Sequence, residues 1–159
     1  MKITVLAVGK LKEKYLRDGV AEYMKRLAPF AKIEIVEIAE EKMPNHFSPA
    51  EKEKTLAREG ERLLAKVPEG SELVVLDVAG EPLSSEELAA RLDEWMVGGA
   101  SHLTFLIGGA FGLSPAVRRT AKLRLSFSRM TFTHQMVRLL LAEQIYRAFK
   151  ILRGEKYHW

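Results

Sequence analysis

The amino-acid sequence predicts an α/β fold, in which helices cover a mostly parallel β-sheet. Short apolar runs alternate with segments of helical periodicity in the order βαβαβαβαβα, which is typical of parallel α/β proteins. The 159 residues suffice for one hydrophobic core, and no linker rich in proline and glycine interrupts them. We therefore expect residues 1–159 to form a single domain.

The first half of the chain begins with two strand–helix units. The apolar run 2–8 predicts a strand, and residues 13–28 have the apolar spacing of a helix. Residues 32–38 alternate apolar and charged side chains, as in a strand with one exposed face. A hydroxyl cap at Ser48 then predicts a helix over residues 50–67.

The middle of the chain repeats this alternation. Residues 72–78 and 103–107 are apolar enough to predict strands that are buried on both faces. Between them, Ser84 or Ser85 caps a predicted helix over residues 84–96, whose first turn is acidic.

Three elements complete the prediction: a short helix over residues 114–120, a strand over 122–128 and a long helix over 134–152. Apolar side chains cover several sides of the last helix, namely Met136, Val137, Leu139, Leu140, Leu141, Ile145, Tyr146, Phe149, Ile151 and Leu152. A helix that is apolar on several sides is buried on several sides. A subunit interface explains this pattern, and a central core helix of a monomer is the alternative.

The composition excludes several classes of protein. The chain has no cysteine, so it has neither disulfides nor thiolate metal sites. No segment approaches the roughly 18 apolar residues that span a bilayer. The apolar start of the chain stops at Gly9, too early for a signal peptide. We expect a soluble, cytoplasmic protein with no membrane partner.

The net charge of +4 is unevenly distributed along the chain. Residues 1–100 carry 15 Lys and Arg against 19 Asp and Glu, whereas residues 101–159 carry 10 Lys and Arg against two Glu. A basic C-terminal part indicates a polyanionic partner such as a nucleic acid. A solvated basic face that binds nothing is the alternative.

A glycine-rich loop, LIGGAFGLSP, follows the fourth predicted strand. Gly108, Gly109 and Gly112 lie beyond the carboxyl end of that strand, and Ser114 begins the next helix. Ligands of parallel α/β sheets bind at such strand ends, and glycines let a ligand approach the main chain. A tight turn without a ligand is the alternative.

Common cofactor motifs do not account for these glycines. The phosphate-binding loop of nucleotide triphosphatases needs Gly-Lys-Ser/Thr, but Leu113 and Ser114 follow the last glycine. A dinucleotide-binding loop needs another glycine spacing and an acid about 20 residues further on. No acid lies between Gly112 and Glu143. The four histidines lack metal-ligand spacing, so no metal is expected.

Two further loops are expected at the same edge of the sheet. LDVAGEPLSS (76–85) has a turn glycine, and SFSRMTFTHQ (126–135) alternates small hydroxyl side chains with Phe and Met. Apolar side chains among free main-chain groups suit a flat heteroaromatic ring. Three such loops together predict a pocket for a small ligand.

Four segments of the sequence carry a resemblance to a known family: KITVLAVGK, LDVAG, IGGAFGLSP and LSFSRMTFTHQMVRLLLAEQIYRAFKILRGEKYH. They resemble the ribosomal RNA large subunit methyltransferase H family, which consists of small SPOUT-class enzymes. The match covers essentially the whole chain, and the C-terminal segment is its most specific part.

The resemblance implies a SPOUT-type fold with a deep C-terminal trefoil knot within about residues 73–159, an exception to the rule against knots. It also implies that three loops of the knot bind S-adenosylmethionine. Transferred to this sequence, the cofactor-binding residues are Leu76, Gly108, Gly109, Gly112, Phe127, Ser128, Arg129, Met130, Thr131 and Phe132. The pocket prediction rests on the same three loops.

For function, the resemblance implies methylation of N3 of a pseudouridine in 23S rRNA, pseudouridine 1915 in the family's usual naming. The substrate is then the assembled ribosome, and the enzyme is a homodimer. Two positions depart from the family: Thr133 replaces a proline before the last helix, and Trp159 replaces a basic residue of the tail. The altered tail leaves a non-catalytic RNA- or ribosome-binding module as the alternative function.

Methylation of N3 requires removal of its proton, so a general base is expected. Histidine exchanges protons near neutral pH, which makes His158 and His134 candidates, with a structural role as the alternative for His134. Tyr157 is a candidate to stack on or orient the nucleobase. The cations expected to contact RNA phosphates are Arg118, Arg119, Lys122, Arg124, Arg153 and Lys156. Glu143 and Arg147 are expected to form an ordinary surface pair on the last helix.

Overall fold

A computed structural model describes residues 1–157, and within that range five strands alternate with five helices. The strands are β1 (Lys2–Val8), β2 (Lys32–Ile38), β3 (Glu72–Pro82), β4 (His102–Ile107) and β5 (Leu123–Ser126). The helices are α1 (Lys14–Leu27), α2 (Pro49–Ala65), α3 (Ser85–Val97), α4 (Pro115–Thr120) and α5 (His134–Leu152). The α/β class predicted from the sequence is confirmed.

The five strands form one parallel sheet in the order β2-β1-β4-β3-β5. β4 is central, and its Leu106 lies opposite Leu6 of β1 and Val75 of β3. Because all strand pairs are parallel, the loops that leave the carboxyl ends of the strands lie at one edge of the sheet.

Helices cover both faces of this sheet. On one face, Phe105 is completely buried in a cluster with Leu92 of α3 and Ile145 of α5. On the other face, Leu106 is buried with Leu63 of α2. Each such side chain stabilises the fold by about 1.5–3 kcal/mol. Within residues 1–157, the helices are too short or too polar to cross a membrane.

Two strands differ from the prediction by two or more residues at one end, and β4 begins one residue early. β3 continues to Pro82 instead of ending at residue 78, because a register shift between Leu76 and Glu81 lets it pair with β5 again beyond a bulge. β5 ends at Ser126, two residues early, because the Ser126 hydroxyl donates to the carbonyl of Val78 and the chain then turns.

Four helices begin at a hydroxyl cap, as the sequence predicts. Ser48, Ser84, Ser114 and Thr133 each accept a hydrogen bond from the backbone N–H three residues further on. Thr133 therefore caps α5, as expected from its hydroxyl group. The caps fix the helix N-termini beside the strand ends, where a ligand site is expected.

Candidate functional site

A cavity of about 600 Å³ opens at the carboxyl edge of the sheet, where the three predicted loops converge. This volume is typical of small-molecule sites. The wall contains nine of the ten residues predicted to bind a cofactor: Leu76, Gly108, Gly109, Gly112, Phe127, Ser128, Met130, Thr131 and Phe132. Arg129 is exposed and is not among the described wall residues.

The glycine loop, residues 108–112, folds back over the end of β4. Gly109 and Gly112 form an antiparallel bridge, in which the Gly112 N–H donates to the Gly109 carbonyl (3.1 Å). Gly112 has a φ of +85°, and a Cβ on Gly108 would lie 2.9 Å from the Gly112 carbonyl oxygen. Only glycine suits these positions, so the main chain itself forms this side of the cavity.

The loop after β5 supplies apolar side chains to the opposite side of the cavity. Phe127 is half-buried, whereas Met130 is 75% exposed and Phe132 is 41% exposed. The Ser128 hydroxyl accepts a hydrogen bond from the Met130 N–H (3.0 Å) and fixes the turn between them. Large apolar side chains at an open cavity favour a ligand with a flat apolar face.

Arg118 and Arg124 flank the carboxylate of Asp77, whose side chain is only 5% exposed. Asp77 Oδ2 lies 3.2 Å from Arg118 Nε and 3.0 Å from Arg124 Nε. Arg124 donates a hydrogen bond, but the Arg118 contact is not aligned as one, and the buried Arg118 Nε–H has no acceptor within residues 1–157. The rest of the Arg118 side chain lines the cavity, with Nη2 3.8 Å from the position of a Cβ on Gly112. The described chain contains no cluster of His, Asp and Glu that could hold a metal ion.

His134, a predicted catalytic residue, is the first residue of α5 and lines the cavity. Its Nε2 lies 3.7 Å from the position that a Cβ would take on Gly9, so the β1–α1 loop packs against the imidazole. Beside it, Gln135 Oε1 accepts a hydrogen bond from the Lys12 N–H (3.2 Å). The start of α5 is therefore held by a loop that the sequence-based site does not include.

Arg138 ties that loop to α5. Its side chain is 1% exposed and donates to Glu37 Oε2 (2.7 Å), to the Val8 carbonyl (3.1 Å) and to the Gly9 carbonyl (2.6 Å). Burial raises the pKa of Glu37, but the hydrogen bonds from Arg138 and the Leu11 N–H outweigh it, so the pKa is lowered. An arginine on an otherwise apolar helix face is the signal that identifies this contact in the sequence.

Tyr157 lies away from the cavity, further along α5. Its hydroxyl is 3.1 Å from Glu143 Oε1 and 3.3 Å from the Tyr23 hydroxyl. Because Glu143 lies about 13.5 Å along α5 from His134, Tyr157 is far from the imidazole in the cavity wall. Burial, the hydrogen bond to Tyr23 and the charge of Glu143 all raise the pKa of Tyr157, so its phenol stays protonated. His158, the other predicted catalytic residue, lies outside the described residues.

Glu143 and Arg147 form the predicted pair on α5, but the prediction of an ordinary surface pair is wrong. Their side chains are 20% and 23% exposed, and Arg147 Nε donates to Glu143 Oε1 (3.1 Å). The Arg147 guanidinium also lies over the Tyr157 ring, 4.8 Å from its centroid. The C-terminal segment folds back over the pair and removes much of it from solvent.

The cations predicted to contact RNA are only partly free to do so. Besides the two arginines at Asp77, Lys122 pairs with Glu72 (3.0 Å), and Arg153 lies over an aromatic ring at 4.5 Å. Two predicted cations are exposed and, within residues 1–157, form neither an ion pair nor a hydrogen bond: Arg119 and Lys156.

Comparison with known proteins identifies the family. A family model described as "Predicted SPOUT methyltransferase" matches residues 1–158. The ribosomal RNA large subunit methyltransferase H of Carboxydothermus hydrogenoformans is 54% identical over 158 residues, which is 99% of each chain. Proteins of the same name from Symbiobacterium thermophilum and Halothermothrix orenii are 56% and 51% identical, again over 99% of each chain. This chain therefore belongs to the SPOUT methyltransferase family.

Proposed function

We propose that this chain is a ribosomal RNA methyltransferase that transfers a methyl group from S-adenosylmethionine to N3 of a pseudouridine in 23S rRNA, on the assembled ribosome. The observation that carries the proposal is the cavity lined by the bulged part of β3 and by the loops after β4 and β5, in a chain of the SPOUT family. The names of the relatives specify large-subunit rRNA. The N3 atom of pseudouridine follows from the family resemblance.

The residues at the cavity fit S-adenosylmethionine in three respects. The bare main chain of the glycine loop offers N–H and C=O groups to the edge of an adenine. Phe127 and Phe132 offer apolar surface to its ring. Arg118, whose side chain is 41% exposed in the cavity wall and has Nη2 beside Gly112, is a suitable partner for a carboxylate. Bound there, the cofactor supplies an activated methyl group.

The protein must also remove the proton that N3 of pseudouridine carries at neutral pH. His134 lies in the cavity wall, and we propose this imidazole and that of His158 as the alternative general bases. The phenol of Tyr157 stays protonated because its pKa is raised. Tyr157 is therefore proposed to orient the nucleobase rather than to remove the proton.

The proposal includes a homodimer in which the tail of one subunit reaches the cavity of the other. Within one chain, Tyr157 binds to Glu143, well over two helical turns from His134, so the two cannot share one substrate there. Met136 and Leu140 on α5 are large, apolar and only half-buried, as expected of a face that a second subunit covers. The trefoil knot and the cytoplasmic location are part of the same proposal and rest on the resemblance.

The decisive experiment supplies the purified protein with labelled S-adenosylmethionine and intact ribosomes and then maps the label. Label on N3 of one pseudouridine of 23S rRNA is the expected result. A chain that ends before Tyr157 should bind the cofactor and transfer nothing. Cofactor binding and ribosome binding without any transfer by the full chain would identify the non-catalytic module instead.

A further inference from the structure

The β1–α1 loop, residues 9–13, is a fourth loop at the edge where the cavity opens. β1 pairs with β4 up to Ile107, the last residue of β4, which lies opposite Ala7, the residue before the end of β1, so this loop and the glycine loop leave the sheet side by side. The β1–α1 loop meets the cavity wall at His134, which lies against Gly9. The proposed cofactor site does not use this loop.

Hydrogen bonds fix the backbone of the β1–α1 loop on both sides. The Leu11 N–H donates to Glu37 Oε2 (2.8 Å), and Arg17 Nη1 donates to the Lys12 carbonyl (2.9 Å). Two more contacts come from α5, where Arg138 binds the Gly9 carbonyl and Gln135 binds the Lys12 N–H. A backbone held in this way presents the side chains of the loop in a defined direction.

Two lysines lie on this loop, and the positive charge of Lys10 also lowers the pKa of Glu37 on β2. Lys10 and Lys12 are exposed, and within residues 1–157 neither ammonium group donates a hydrogen bond or joins an ion pair. Lys14, in contrast, pairs with Asp18 (2.6 Å). The arginines on the other side of the cavity are engaged by Asp77. Cations without an ion pair within residues 1–157 therefore occur in the half of the chain whose net charge is negative as well as at Arg119 and Lys156.

We propose that Lys10 and Lys12 bind backbone phosphates of the RNA substrate next to the nucleotide that enters the cavity. This inference rests on the proposed function and names a contact of the same site. Ammonium groups on a rigid loop suit phosphates, because they supply positive charge at fixed positions. Glu13 is the one acid between Gly9 and Arg17, so the segment keeps a net positive charge.

An exposed aromatic side chain beside the two lysines favours RNA over a simple anion. Tyr15, in the first turn of α1, is 63% exposed. It lies one helical turn before Gly19, which packs against Leu139 of α5, so Tyr15 is on the side of α1 that faces the start of α5. Unpaired bases of RNA stack on such aromatic rings.

The test compares Lys10→Ala/Lys12→Ala with a matched control that loses the same charge elsewhere. Lys25 and Lys66 are exposed lysines at the opposite edge of the sheet, near the ends of α1 and α2, so Lys25→Ala/Lys66→Ala serves as the control. Filter binding of intact ribosomes, which are the proposed substrate, is measured over a series of salt concentrations. The Lys10/Lys12 variant should bind more weakly than the wild type. The slope of log affinity against log salt concentration should be smaller in magnitude by about 1.4, because each lost phosphate contact removes roughly 0.7 from it. The control should keep the wild-type slope.

Tyr15→Leu supplies a second measurement, because stacking does not depend on salt. Its affinity for ribosomes should fall by roughly tenfold at every salt concentration, with an unchanged slope. An unchanged affinity of this variant overturns the stacking contact.

The outcomes separate this proposal from the proposed function. If the Lys10/Lys12 variant matches the control while the wild type binds and methylates rRNA, the phosphate contact is wrong and the function stands. If the wild type binds neither rRNA nor ribosomes, the proposed function is wrong, and the proposed phosphate contact is wrong as well. If the lost RNA binding follows from dissociation of a dimer, as sedimentation would detect, the loop is a subunit contact and the proposal is overturned.

Discussion

Arg138 of α5 and Glu37 of β2 form an ion pair, with 2.7 Å between Nη1 and Oε2, although they lie 101 residues apart in the sequence. The same guanidinium binds the carbonyl of Gly9, the residue that packs against His134. The position of a proposed catalytic imidazole therefore depends on three separate segments of the chain, which one buried arginine joins.

Replacing Arg138 by Met should lower the free energy of unfolding by about 3 kcal/mol. The change takes one of two hydrogen-bond donors from Glu37, which keeps the Leu11 N–H, and leaves the Val8 and Gly9 carbonyls without the Arg138 donor. Arg58→Met is the control, since Arg58 is exposed on α2, and it should change stability by less than about 0.5 kcal/mol. Urea denaturation at one protein concentration provides the comparison. Equal midpoints for the two variants would show that the buried network adds no net stability.

The sequence predicts the cavity well because its determinants are local. Glycines after a buried strand, hydroxyl caps and the rule for parallel sheets are sufficient to identify all three loops that converge on it. Each of these signals lies within a few residues of the position it describes.

Contacts between distant segments account for what the sequence does not predict. Arg138 reads as one more charge on a helix until Glu37 and Gly9 are brought beside it. Asp77 likewise binds Arg118 and Arg124 from 41 and 47 residues away, so those two arginines are less free than their charge implies. An unusual residue such as Arg138 can indicate that a long-range contact exists, but, unlike helix capping, the sequence around it does not identify its partners.

Replacing Gly112 by Ala tests whether the glycine loop binds the cofactor. Gly112 has a φ of +85° and Gly70 has a φ of +76°, so alanine at either position costs about 1–2 kcal/mol of backbone strain. Of these two glycines, Gly112 lies in the cavity wall and Gly70 does not. Calorimetric titration with S-adenosylmethionine should therefore show affinity reduced by roughly tenfold or more in Gly112→Ala and unchanged in Gly70→Ala. Equal affinities in both variants would remove the glycine loop from the cofactor site.

Arg118 should recognise the carboxylate of the cofactor. Arg118→Met should bind S-adenosylhomocysteine roughly tenfold more weakly, because a charged hydrogen bond is lost, and should bind methylthioadenosine, which lacks the carboxylate, as well as the wild type does. Arg124→Met is the control, since Arg124 also contacts Asp77 but is not among the residues of the cavity wall. Equal losses for both ligands would mean that Arg118 shapes the cavity without binding the carboxylate.

Glu59 makes the stability of the protein depend on pH near the glycine loop. Its carboxyl group is 5% exposed on α2, and its Oε1 lies 3.6 Å from the position of a Cβ on Gly109. Burial is the main cause that raises the pKa of Glu59, and the charge of Glu40 adds to it. The folded protein therefore binds this proton more tightly than the unfolded chain does. Stability should fall as pH rises from about 4.5, the ordinary value, through the raised pKa of the folded state.

Glu59→Gln should remove the loss of stability at rising pH, because glutamine does not ionise. The amide keeps an oxygen that accepts the hydrogen bond from the Glu41 N–H. The difference in unfolding free energy between variant and wild type should then shift in favour of the variant between pH 4 and pH 8, by on the order of 1 kcal/mol. Glu61→Gln, at an exposed position on the same helix, removes the same charge and should show no comparable change. Urea denaturation of the three proteins across this pH range measures the effect. A difference between Glu59→Gln and wild type that stays constant with pH would mean that the pKa of Glu59 is the same in the folded protein as in the unfolded chain, with the effect of burial compensated by Arg62 and the Glu41 N–H.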